Sequence, residues 1–278
     1  MIKYNVKKEL NSGFTSRAFL LDDKFIQLVG KNENAVNTYK DLKANSELLK
    51  GKITCVDYPN NMQLFEPSIT YPYGSLVYSY VKGKPVNPNN LTEQELTNLA
   101  KKLVEFNNQM HNLNVHWNRE NAINHEVNKV NVNIELLKNY LTESEICLLK
   151  NYALAFSNYL NSKPKFCMTH GDLWADNLIV DSNNNLTGII DFGNMAYFLP
   201  EVDYASVWNM CDGILDKMIE FSNEDITKES VNLFIVHREL CFFEYVLNCD
   251  VSEVNCQLDK IRETLKLIEP QLSKIKQK

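Results

Sequence analysis

The sequence predicts an α+β protein of two lobes, a small β-rich lobe over residues 1–82 and a larger, mainly helical lobe over residues 83–278. Three observations carry that expectation. Short β-prone runs separated by turn residues crowd the N-terminal part. A polar break bearing Pro, Gly and Asn, Lys82-Gly-Lys-Pro-Val-Asn-Pro-Asn-Asn90, follows them. Beyond the break, long segments with helical spacing dominate.

Phe14 to Leu21 and Lys24 to Val29 read as paired strands across Asp22-Asp23. A helix is expected over roughly 34–50. Strand-like runs follow at 53–57, 62–66 and 75–81, with Tyr71-Pro-Tyr-Gly74 turning between the last two. In the third run Val77, Ser79 and Val81 alternate with Tyr78 and Tyr80, as on a half-buried strand. Its exit offers backbone donors and acceptors to a flat heterocycle; the plainer reading is an edge strand entering a linker. Helices are expected over 92–112, about 119–140 and 143–160, then a hairpin, then helices to the C-terminus.

With 278 residues, 44% hydrophobic and 23% charged, the chain has room for an ample core. The net charge of −6 argues against nucleic acid as the main partner, because phosphate backbones favour a basic face. It suits a cationic small molecule better. The N-terminus lacks the apolar run of a signal peptide, and no stretch approaches the ~20 apolar residues of a membrane span. Seven cysteines are scattered without a Cys-x-x-Cys pair, as expected of reduced thiols in the cytoplasm. Oligomeric state leaves no signature in the sequence.

The chemistry concentrates in residues 167–193. Here His170-Gly171-Asp172 precedes Asn177, and a short hairpin leads to Asp191-Phe-Gly193. Leu178-Ile179-Val180 and Leu186 to Ile190 flank Asp181-Ser-Asn-Asn-Asn185, a run dense in turn residues. A hairpin brings its ends together, so Asn177 and Asp191 become neighbours. One oxygen ligand from each side suits Mg²⁺, a hard cation that keeps several waters. Asp172 lies just before the hairpin, placed to accept or orient a substrate hydroxyl. Taken singly, each motif is a common turn; the ordered set matches the spacing of kinase-type phosphoryl transfer from ATP or GTP. Two rivals are a non-catalytic nucleotide-binding protein and a metal-dependent hydrolase using His170, Asp172 and Asp191. The scarcity of nearby histidine ligands weighs against the second.

This segment resembles the catalytic and metal loops of the aminoglycoside phosphotransferase and choline kinase superfamily, which has a protein-kinase-like fold. Pro200-Glu-Val-Asp203-Tyr-Ala205 resembles the Pro-x-x-Asp-Leu-Ala element of that family, and Leu99 to His111 one of its helices. The resemblance implies that His170 orients the catalytic loop and that Asp203 braces it. It implies a glycine-bearing loop over the phosphates, here around Gly13, and a hinge for the base at Ser79 and Val81. At the usual strand lysine it aligns Gln27, with Lys31 as a substitute cation and Asp41 or Glu47 as its helical partner. It places the acceptor near Trp174, Asp176, Glu201, Tyr204 and Trp208, with Asp212 nearby. Carboxylates there suit the ammonium groups of an aminoglycoside, and aromatic faces suit a quaternary ammonium. The plainer readings are core packing for Tyr204 and Trp208 and solvated surface charge for Glu201 and Asp212. The expected function is a Mg²⁺-dependent O-kinase acting on a small molecule. An aminoglycoside-like acceptor is favoured, as in antibiotic resistance. Choline, a sugar or another metabolite alcohol is the alternative, and a pseudokinase is the reading that Gln27 motivates.

Overall fold

The computed structural model describes residues 7–12, 15–115, 117–249 and 251–275. In chain order the elements are β1 (Lys7–Ser12), β2 (Ser16–Leu21), β3 (Phe25–Gly30), α1 (Ala35–Leu49), β4 (Gln63–Phe65), β5 (Ser75–Ser79), β6 (Lys84–Pro85), α2 (Glu93–His111), α3 (Arg119–Leu137), α4 (Glu143–Ser162), β7 (Cys167–Thr169), β8 (Leu178–Val180), β9 (Leu186–Ile189), β10 (Ala196–Phe198), α5 (Glu201–Ala205), α6 (Ile214–Phe221), α7 (Lys228–Cys249) and α8 (Val254–Ile275). Packing groups them into two compact units. One joins residues up to Met110 with His170–Met195; the other joins His111–Thr169 with residues from Ala196 onward. Residues 83–110 and the hairpin within 170–195 thus belong to the same compact unit as the N-terminal sheet.

The first unit is built on an antiparallel sheet of order β1-β2-β3-β5-β4. Asp22 and Asp23, with φ of 49° and 54°, turn the chain in the three-residue loop 22–24 between Leu21 and Phe25, a left-handed conformation that Asp tolerates. Helix α1 lays Ala35 and Tyr39 on Leu76, and Leu28, Leu64 and Tyr78 close around them. Tyr39 satisfies its hydroxyl on Ser16 Oγ at 2.7 Å, so this buried phenol carries no unmet polar group. A smaller sheet, β6-β8-β9, carries the expected hairpin.

The run 53–57 departs from expectation. It is no strand; Asp57 alone makes a parallel bridge to Gly188. Gln109 of α2 turns its Oε1 to the amides of Thr54 and Cys55, at 2.7 and 3.3 Å, and so supplies the acceptor a neighbouring strand would have given. The third run ends as a strand at Ser79, although the Tyr80 amide still donates to the Lys24 carbonyl at 2.8 Å, in register with the Phe25–Ser79 pair.

The second unit is a helical assembly around aromatic rings. Tyr152, Phe156, Phe166, Phe198, Phe234 and Phe243 are buried, with ring pairs mostly edge-to-face at 5.3–6.5 Å. Three-residue strands β7 and β10 pair antiparallel, an element too short for periodicity to reveal. Thr142 and Glu145 form a reciprocal capping box that starts α4. Among the described residues no helix is long and apolar enough to cross a membrane.

Candidate active site

The catalytic loop begins where β7 ends. Gly171 turns the chain with φ of 80°, and a Cβ there would lie 2.6 Å from the Asn194 carbonyl oxygen, so a side chain is excluded twice over. His170 is fully buried, its ring 4.6 Å from Phe192 and 6.1 Å from Phe106. Its Nδ1 accepts the Asp172 amide at 3.2 Å and its Nε2 donates to the Ile190 carbonyl at 3.1 Å. A backbone N–H can only donate, so Nδ1 carries no proton and the ring is a neutral spacer between two loops. His170 therefore ties the Asp172 amide to the Ile190 carbonyl.

Asn177 closes a 3₁₀ turn over Ala175–Asn177. Its Nδ2 donates to the Asp172 carbonyl at 2.9 Å and to Asp172 Oδ2 at 3.2 Å. With the amide nitrogen engaged, Oδ1 is the acceptor atom of this side chain. The hairpin then does what its sequence predicts. Asp181 Oδ1 accepts the Asn183 and Asn185 amides at 2.8 and 2.9 Å, and Leu178 pairs with Ile189. The Ile190 amide donates to the Asn177 carbonyl at 2.9 Å, which seats Asp191 beside Asn177. Asp191 adopts φ 63° and ψ 67°, exposes its carboxylate, and accepts the Gly193 amide at 3.3 Å. Asp172, Asn177 and Asp191 thus meet around one hairpin. Their donor set, one amide oxygen and two carboxylates, is all hard oxygen and fits Mg²⁺.

Sequence reasoning missed Asn45. From α1 its Nδ2 donates to the Phe192 carbonyl at 3.0 Å and anchors the loop that follows Asp191. The search for a helical acid looked for charge, and Asn45 lies one turn beyond Asp41 with none. Asp41 and Glu47 themselves are exposed.

The nucleotide candidates are less convergent. Gly13 lies outside the described residues. Gln27 is buried and its Nε2 donates to Ser75 Oγ at 3.0 Å. Strand residues alternate faces, and Leu28 is the neighbour that packs toward α1. The same face carries Tyr78, whose phenol is raised by burial and then by the charge of Asp191. Gln27 therefore lies on the face of β3 opposite to Leu28 and α1. Lys31 is exposed. The Ser79 amide donates to the Asn60 carbonyl at 2.9 Å, and its Oγ accepts from Asn61 Nδ2 at 3.1 Å. Val81 is buried against Gly188, where a Cβ would come within 2.2 Å of Val81 Cγ1. Among the described residues the Val81 and Lys82 backbones enter no backbone hydrogen bond outside the helices and strands.

Of the acceptor candidates, Trp174 (half-buried) and Asp176 (exposed) lie on the short segment between Asp172 and Asn177. Glu201 departs from the surface-charge expectation: it is 1% exposed, accepts the Tyr159 hydroxyl and lies 3.8 Å from Lys163 Nζ. Burial first, and Glu201 second, raise the Tyr159 phenol. Tyr204 is fully buried and donates to Ser222 Oγ and Glu224 Oε2 at 2.7 and 3.2 Å, an interior residue and not a ligand face. Trp208 is half-buried and donates to Glu239 Oε1 at 3.3 Å. Asp212 is exposed. Asp203, fully buried, meets His111 Nε2 at 3.0 Å, and His111 Nδ1 meets Glu224 at 2.8 Å. Burial disfavours the charged ring, but the two carboxylates outweigh it and lift His111 to about 9.

A model of a phosphotransferase enzyme family matches residues 61–222. Among solved structures, the chain is similar to wild-type aminoglycoside 2'-phosphotransferase-IIIa in its GDP complex, at 20% identity over 95% of this chain and 94% of that one, with a TM-score of 0.80. It is similar to the aminoglycoside phosphotransferase APH(2")-IIa in a ternary complex with streptomycin and ATP, at 19% identity over 95% and 92%, TM-score 0.71. It is also similar to macrolide 2'-phosphotransferase type I, at 11% identity over 93% and 92%, TM-score 0.64. These likenesses show a shared, protein-kinase-like fold.

Proposed function

Because the chain belongs to this phosphotransferase enzyme family, whose model spans residues 61–222, we propose that it moves the γ-phosphate of ATP or GTP to a hydroxyl of a small molecule, with Mg²⁺ bound by Asn177 and Asp191. The observation that carries the reading is the Asn177 side chain, which donates to both oxygen types of Asp172 while its backbone carbonyl receives the Ile190 amide ahead of Asp191. One residue thereby spaces the base from the metal ligand.

Asp172 accepts or orients the acceptor proton, and the Asn177 amide keeps its carboxylate in one rotamer. His170 holds the loop backbone. The metal, when bound, neutralises phosphate charge. Catalysis then rests on positioning and electrostatics. The exit of β5, through the Val81 and Lys82 backbones, receives the base. An aminoglycoside-like, cationic acceptor is favoured by the exposed Asp176 beside the base, by the net charge of −6, and by the streptomycin bound in one fold relative. The macrolide enzyme in the same fold keeps other hydroxyl acceptors in play, choline and sugars among them.

A second reading, a nucleotide-binding protein without turnover, is motivated by Leu28 and Gln27, neither of which can carry a phosphate-binding charge. One experiment separates the two. Nucleoside diphosphate release is measured with Mg²⁺ and ATP or GTP against aminoglycosides, macrolides, choline and amino sugars. Acceptor-dependent release that falls at least about 100-fold in Asp172→Ala supports the kinase. Tight nucleotide binding without release across the panel supports the second reading.

A further inference from the structure

Helices α3 and α7 bring together three side chains that the phosphotransferase chemistry does not use. His237 and Cys241 are four residues apart on α7 and share one face. Glu126 reaches them from α3. His237 Nε2 lies 2.7 Å from Glu126 Oε2 and 3.6 Å from Cys241 Sγ. All three ligand atoms fall within 4.8 Å of one another. The site is partly open: the His237 and Glu126 side chains are 11% and 17% exposed.

The geometry points to a binding site for a borderline-soft divalent cation of the Zn²⁺ class, held by Glu126 Oε2, His237 Nε2 and Cys241 Sγ. In a tetrahedral site the nitrogen–sulfur edge is about 3.5 Å and the nitrogen–oxygen edge about 3.3 Å, given bonds of about 2.0 and 2.3 Å. The first edge is already present. The second needs the histidine–carboxylate hydrogen bond to open by about 0.6 Å as the metal replaces its proton.

The surroundings suit the role. The His237 ring is stacked on Phe156, with centroids 5.1 Å apart and planes at 22°, so Nε2 has a fixed direction. The other oxygen of Glu126 lies 3.6 Å from Nε2 of the exposed His125. A solvent molecule would take the fourth position.

A hydrogen-bonded Glu–His pair needs no thiol to be stable, and the thiol on the same face is what changes the donor chemistry. Imidazole plus thiolate favours Zn²⁺ and Co²⁺ over Mg²⁺, which prefers oxygen alone. The site therefore differs in selectivity from the pair Asn177 and Asp191.

The test is a Co²⁺ titration of the full, reduced, chelator-treated chain. The expected result is one equivalent bound with a near-ultraviolet thiolate-to-cobalt absorption, displaced by Zn²⁺ and indifferent to excess Mg²⁺. Cys241→Ser should abolish the absorption, and Glu126→Gln should weaken Co²⁺ binding at least about tenfold. A wild-type measurement needs no variant to fold: Zn²⁺ should slow alkylation of Cys241, read by peptide mass. The assignment is overturned by a folded chain that gives no such absorption at saturating Co²⁺. It is equally overturned by an absorption that survives Cys241→Ser, or by an alkylation rate that Zn²⁺ leaves unchanged.

Discussion

Asp172, Asn177 and Asp191 lie within twenty residues of one another, and that closeness is why their convergence was legible. A hairpin short enough to read from its turn residues sets their separation, and no distant packing has to be known. Gln27 shows the opposite case. Aligning the strand one residue out of phase exchanges its two faces, because side chains alternate. Only the packing of Leu28 on the α1 side reveals the phase. The consequence is specific. Gln27→Lys would bury a charge beside Ser75, so thermal or denaturant unfolding should show a loss of at least about 1 kcal/mol. Nucleotide affinity should not improve; a gain by calorimetry would restore Gln27 to the phosphate site. Glu201 was misjudged for a similar reason. Carboxylates are usually exposed, and the tyrosine that pairs with this one lies 42 residues away.

Among the elements, the hairpin β8–β9 and the helices α1 to α4 came out close to expectation, because each has its own periodicity and end signals. The departures are pairings made at long range. The run 53–57 has β-prone composition, yet its amides are met by the Gln109 side chain, 54 and 55 positions distant. Strands β7 and β10 are three residues each, and only their mutual pairing defines them. Gly188 illustrates how tightly β9 is seated. A methyl at this position would sit 2.2 Å from Val81 Cγ1 and 3.3 Å from the Asp57 carbonyl oxygen. Gly188→Ala should therefore cost about 1–3 kcal/mol in urea unfolding, as overpacked sites do. Nucleotide binding should weaken with it, since Val81 must shift. A variant as stable as the parent would mean that this contact relaxes freely.

At the scale of the whole molecule, buried charge ties stability to pH. His111 titrates near 9 in the folded chain, above the ordinary value of 6.5, because Asp203 and Glu224 outweigh its burial. The folded state therefore binds the proton more tightly than the unfolded state. The stabilisation is complete below about pH 6.5 and is lost as pH rises through about 9. His237, also lifted to about 9 as Cys241 and Glu126 outweigh burial, adds a second step in the same window. Unfolding free energy measured from pH 6 to 10 should fall with pH, and His111→Gln should remove part of that slope. It should also lower stability at pH 6 by about 3 kcal/mol or more, because Asp203 and Glu224 are left facing each other. A variant with the parental slope would take His111 out of this account.

The two compact units are interleaved along the chain, each assembled from two separate stretches. On the ribosome, the N-terminal sheet and α2 emerge first, yet the hairpin that completes their unit arrives only with residues 170–195. No contiguous fragment contains the first unit without residues 111–169 threaded between its halves. The nascent chain must therefore hold an unfinished core while about sixty further residues are made, several seconds at ordinary elongation rates. Chaperone demand should peak during that interval. A nonsense mutation anywhere before residue 170 should yield insoluble product, not a smaller folded protein.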